Sequence, residues 1–116
     1  MVIHRERNPD ERLPAISVNG HDGILHVSVA RLALCDTQVQ AGVSRAGGAF
    51  DVVAVIGPNA AALCAQNNGR YVVEYQMDVP RVALGFYEVR VFEGGFTARE
   101  PRFMGQSRTW VGGPSQ

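Results

Sequence analysis

The 116-residue chain has no lysine: all eleven basic residues are arginine, and eleven acidic residues balance them. A neutral chain without a basic face does not carry the electrostatic footprint of nucleic-acid binding, so no nucleic-acid partner is expected. The all-arginine usage reads as genome composition, and no function is attached to it. No apolar run approaches the ~18 residues that a membrane-spanning helix requires. The opening "MVIHRERNPDERLP" is charged and has no apolar core, unlike a secretory signal. Taken at face value, that start predicts a soluble intracellular chain; taken as part of a processed chain, it says nothing about compartment.

Cysteine is scarce. Cys35 and Cys64 are far apart, and neither has a second cysteine two to four residues away, which excludes zinc-ligand spacing. Two readings stay open. They are small buried hydrophobes, or one disulfide clamping two strands, worth roughly 3–4 kcal/mol by loop entropy in an oxidising compartment. Histidine is limited to His4, His21 and His26, with no cysteine or third histidine beside the latter two, so they read as surface residues and no metal is expected. "GVSRAGG" lacks both the Gly-Lys-Ser/Thr ending of a phosphate loop and the Gly-x-Ser-x-Gly of a nucleophile elbow. No constellation supports catalysis or a cofactor, so the chain is not read as an enzyme.

What the sequence does contain is short alternating segments. Its length suits one domain, which would bury roughly two-thirds of the surface of the unfolded chain. Residues 1–14 read as an irregular arm, 15–104 as the folded domain and 105–116 as a Gly/Pro-rich tail. "AISVNGHDG" predicts a short strand and a turn at Asn19–Gly20. "ILHVSVARLAL" (24–34) sets Leu25, Val27 and Val29 against His26 and Ser28, a strand with one buried face. "TQVQAGVS" (37–44) is a weaker strand, and "RAGG" turns the chain. "AFDVVAVIG" (49–57) is almost continuously apolar, as in a strand buried on both faces. "AAALCAQ" (60–66) is ambiguous between strand and helical turn, and "NNG" (67–69) predicts a hairpin turn. In 70–78, Tyr71, Val73, Tyr75 and Met77 face opposite to Val72, Glu74 and Gln76. In 85–93, Tyr87, Val89 and Val91 point inward, with Glu88 and Arg90 outward. One further short strand is expected at Arg102–Met104. About seven or eight short strands with turn signals every 8–12 residues predict an all-β fold, an immunoglobulin-like β-sandwich.

One segment adds a specific expectation. Gly85-x-Tyr87-x-Val89 has the spelling of a tyrosine corner, in which the Tyr87 hydroxyl bonds back to a carbonyl of the loop Pro80–Leu84. This makes 70–77 the fifth strand and 85–93 the sixth. Aromatic residues at alternate strand positions read mainly as core. Phe96 and Phe103, with Arg99, Arg102 and Arg108, are the candidate partner contacts; solvated tail arginines are the competing reading.

"RYVVEYQMDVPRVALGFYEVRVFEGG" also resembles the δ subunit of the translocon-associated protein complex (signal sequence receptor δ). Arg70, Tyr71, Val73, Asp78, Gly85, Tyr87, Glu88, Val89, Arg90 and Phe92 match that family's pattern without a gap. "LALCDTQVQ" is similar to the segment around its early cysteine, and "RTWVGGP" to the segment before its membrane helix. The resemblance implies a non-catalytic accessory subunit on the lumenal side of the endoplasmic reticulum. Its partners would be sister subunits and the protein-conducting channel, and it would meet the membrane only through a segment outside these 116 residues. A second class of function is a structural β-sandwich subunit of another large assembly, such as a viral decoration protein.

Overall fold

The structure, a computed structural model, describes residues 2–33, 38–57, 71–95 and 101–112. Among them are eight strands and no helix: β1 (Val2–Glu6), β2 (Ala15–His21), β3 (Ile24–Ala33), β4 (Gln38–Ala46), β5 (Ala49–Gly57), β6 (Tyr71–Val79), β7 (Gly85–Gly95) and β8 (Arg102–Val111). The chain is all-β. The segments 60–66 and 67–69, both cysteines, Phe96, Arg99 and the Tyr71 side chain lie outside the described residues.

The strands form one sheet in the order β1-β6-β3-β2-β8-β7-β5-β4. Most neighbours are antiparallel, but β5 and β7 run parallel from Ala49↔Glu88 to Ile56↔Gly95. β2 meets β8 through one parallel bridge, Gly20↔Val111. The sheet curls until it is nearly closed, and the reason lies in the side chains. Leu25, Val27 and Val29 of β3 and Tyr75 of β6 join Phe50, Val52 and Ala54 of β5 and Val89 and Val91 of β7 in one buried cluster. Strands several ranks apart therefore share one core, as period-2 alternation demands when only one face of each strand is apolar. Burying that common face supplies the main driving force, about 25 cal/mol per Å² removed from water.

Several sequence-based expectations need correction. Asn19–Gly20 is not a turn, since β2 continues through both residues. Asp22 and Gly23 turn the chain instead, with φ of 55° and 72°, the left-handed pair that a two-residue hairpin needs. Gly20 is used for close approach: a Cβ there would lie 2.6 Å from Val111 Cγ2 and 2.9 Å from Val111 Cα. Residues 49–57 are not buried on both faces. Phe50, Val52 and Ala54 point inward, while Val53 is exposed, because no described element covers the outer side of this half of the sheet.

The expected arm and tail both contain strands. β1 pairs with β6 from Val2↔Tyr75 to Glu6↔Tyr71. Its charges obscured the alternation, yet charge suits a sheet edge. The loop after it is tied back by Arg5, whose Nη1 donates to Glu11 Oε1 at 2.8 Å. The Arg5 guanidinium is also the main cause that holds the Glu11 carboxyl at about 2, well below its ordinary value. β8 runs seven residues past the Met104 end expected from sequence, through Val111. A bulge at Met104 of β8, opposite Val91 and Phe92, shifts the register from Val91↔Gly105 to Phe92↔Phe103. Past the bulge, Arg108 and Trp110 point outward, a period that the glycines disguised. The strands expected to be fifth and sixth are accordingly β6 and β7.

Inside the barrel-like core, the Tyr87 hydroxyl donates to the Ala83 carbonyl at 2.8 Å, within the loop Pro80–Leu84. The ring packs on Phe50 at 5.4 Å between centroids, and the Arg45 guanidinium lies over both rings. The same loop is held by Val82 N–H donating to the Gly23 carbonyl at 2.8 Å. Tyr87→Phe should therefore cost about 1 kcal/mol in a urea melt, the net worth of one hydrogen bond, because Ala83 is exposed and water can replace the lost donor. An unchanged melt would show that the hydroxyl contributes nothing to the corner.

Candidate functional site

The outer face of β7 and β8 carries the most exposed aromatic surface among the described residues. With Tyr87, Val89 and Val91 turned into the core, strand geometry forces Phe86, Glu88, Arg90 and Phe92 outward. Phe86 is 76% exposed and Trp110 51%. These two are directly paired across the strands and meet edge-on, with centroids 4.9 Å apart. Leu84, also exposed, leads into the strand beside them. Glu88 lies opposite Arg108 in the next outward row. Arg90 then reaches across to Asp51 on β5, donating from Nε to Oδ1 at 2.7 Å and from Nη2 to Oδ2 at 3.1 Å. That fork–fork geometry fixes the guanidinium plane. Phe92 and exposed Phe103 close the row with a second edge-on contact at 5.6 Å.

The face thus has an aromatic pair at each end and charged groups between. Scattered exposed apolar residues are ordinary, but aromatic pairs on one sheet face have the composition of a docking surface. Of the sequence-predicted contacts, Phe103 lies at one end of this face and Arg108 in its middle row, whereas Arg102 is exposed but paired with inward-facing Glu93, which puts it off this face. Phe86 and Trp110 were missed. The alternation that buries Tyr87 places Phe86 outside, but reading strand aromatics as core hides it. Trp110 lay in the segment expected to be a tail.

A second feature lies on the outer face of β2, β3 and β6. Register places Asn19, His26 and Asp78 in one row across the three strands. His26 Nδ1 is 2.5 Å from Asp78 Oδ1, and the His21 ring lies 4.9 Å from that of His26. With Ser17, Ser28 and Gln76 these residues line a shallow cleft of about 350 Å³. Spacing could not reveal the His26–Asp78 pair, because its members are 52 residues apart. Among the described residues, no group of three or more His, Cys, Asp or Glu gathers as a metal cluster, and no helix is long and apolar enough to cross a membrane.

No protein-family model matches the chain, and no match is found among curated proteins or solved structures.

Proposed function

We propose that the protein is a non-catalytic binding subunit of a larger assembly, and that it docks through the outer face of β7 and β8. The observation that carries this reading is the Phe86–Trp110 pair, two large aromatic side chains left more than half exposed side by side. Aromatic and arginine anchors of this kind dominate interface energetics. The neighbouring Arg90–Asp51 and Glu88/Arg108 groups would form the polar surround. As a fold, we propose an immunoglobulin-like sandwich with β1-β6-β3-β2 as one leaf and β8-β7-β5-β4 as the other, joined at Gly20–Val111. The Tyr87–Ala83 corner supports that assignment, and the parallel β5–β7 pairing departs from the usual antiparallel leaf.

The resemblance in β6 and β7 gives the proposal a specific form: an accessory subunit of the translocon-associated complex, facing the lumen of the endoplasmic reticulum. Its support is the spelling of those two strands. Affinity purification from the native source in mild detergent tests both levels. Recovery of channel subunits with wild type, and their loss with Phe86→Ser/Trp110→Ser, is the expected result. Recovery of an unrelated assembly, lost with the same variant, would keep the docking face and overturn the δ-subunit assignment. A partner retained by the variant would overturn the docking face.

A further inference from the structure

We propose that His21 and His26 form a two-imidazole site for a divalent first-row transition-metal ion, with solvent completing the coordination. His26 stands on the central strand of its three, and its Nδ1 contacts Asp78 on β6. In the neutral ring that contact uses Nδ1–H, which leaves the lone pair on Nε2. This Nε2 is shielded from solvent and has no hydrogen-bond partner among the described residues. A buried polar atom in that condition calls for an unseen partner such as an ion.

His21 supplies the second nitrogen. Its ring is tilted 37° to that of His26 at a centroid separation of 4.9 Å. Its Nδ1 lies 3.4 Å from Asp22 Oδ2. His26 is therefore held at Nδ1 by a carboxylate, while the exposed His21 ring only approaches one. An outer-shell carboxylate of the His26 kind fixes the tautomer of metal-bound histidine and turns Nε2 toward the ion. The His21 side chain is 65% exposed, so rotation of this ring opens the way to His26 Nε2. Ser17, Asn19 and Ser28 line the same cleft and offer hydrogen bonds to coordinated water. Imidazole nitrogen selects Zn²⁺, Cu²⁺ or Ni²⁺ over the oxygen-seeking Ca²⁺ and Mg²⁺. With two protein ligands the site stays open, so it would take a further donor from solvent or from a bound partner.

The test is calorimetric titration of Zn²⁺ into the full chain after its thiols have been alkylated, which removes cysteine as a ligand. One bound ion is expected, together with perturbation of both imidazole side-chain resonances by nuclear magnetic resonance. His21→Ala and His26→Ala should each weaken binding at least ~100-fold. Asp78→Asn keeps both imidazoles and should weaken binding about 10–100-fold, the usual cost of removing an outer-shell carboxylate. That variant keeps the proposal falsifiable if His26→Ala does not fold. Absence of Zn²⁺ binding, unperturbed imidazole resonances, or affinity unchanged in Asp78→Asn or His21→Ala would each overturn the site.

Discussion

Glu93→Ala is expected to lower stability by about 3 kcal/mol. Glu93 is a buried carboxyl, only 6% exposed, at the end of the core. The Tyr75 hydroxyl donates to its Oε2 at 2.7 Å. Arg31 Nε lies 3.0 Å from its Oε1 but lacks hydrogen-bond geometry, so that contact is ionic. Removing the carboxylate strands a guanidinium and a buried hydroxyl together. Breaking a buried pair from one side typically costs about 3–5 kcal/mol. The lower end applies because the Arg31 side chain is 27% exposed and water can partly rescue it. A urea melt measures the loss, and a change below about 1 kcal/mol would mean that the network does not hold the strands.

The same network fixes an alkaline response. Burial, and then the Glu93 hydrogen bond, push the Tyr75 hydroxyl well above its ordinary value. In the unfolded chain it ionises near pH 10. Because the folded value is the higher one, this stabilisation is complete below about pH 10 and is lost as pH rises above it. Tyr75→Phe should flatten that slope.

Gly20→Ala is the second large effect, with an expected loss of about 3 kcal/mol. A glycine inside a strand ordinarily weakens it, so alanine would be expected to help slightly. Here the added methyl strikes both the side chain and the backbone of buried Val111. Overpacking costs about 1–3 kcal/mol, and the upper end applies where a backbone atom must move. The contact is also the bridge that links β2 to β8. Faster amide exchange at Val111, alongside the lower melt, is the signature of a parted junction. A neutral or stabilised variant would show that the two strands do not meet there.

Much of the all-β frame was legible because burial on one face writes itself as alternation. In β3 and β7 the inward leucine, valines and tyrosine are separated by polar residues, and in β6 the same holds from Val73 to Met77, although Val72 on the opposite face is fully buried too. The expected spans differ from the observed ones by only a few residues. Legibility failed where local signals had two meanings. Asn19–Gly20 spells a turn as well as Asp22–Gly23 does, and only the distant Val111 explains why the first stays extended. In β8, Gly105 hid a ten-residue strand. In β5 a continuous apolar run suggested two buried faces, although Val53 faces outward. The candidate sites were harder still. Phe86 and Trp110 meet because β7 and β8 are in register, and His26 meets Asp78 because β3 and β6 are. Register between distant segments has no local spelling.

Photocrosslinking in the native host tests most directly whether the face of β7 and β8 is where the protein binds. A benzophenone amino acid replaces Phe86 in one variant and Gln40, on the exposed edge strand β4, in another. The account predicts a discrete, irradiation-dependent protein adduct from position 86 and none from position 40. Adducts at position 40 but not at 86, or at neither position, would contradict it.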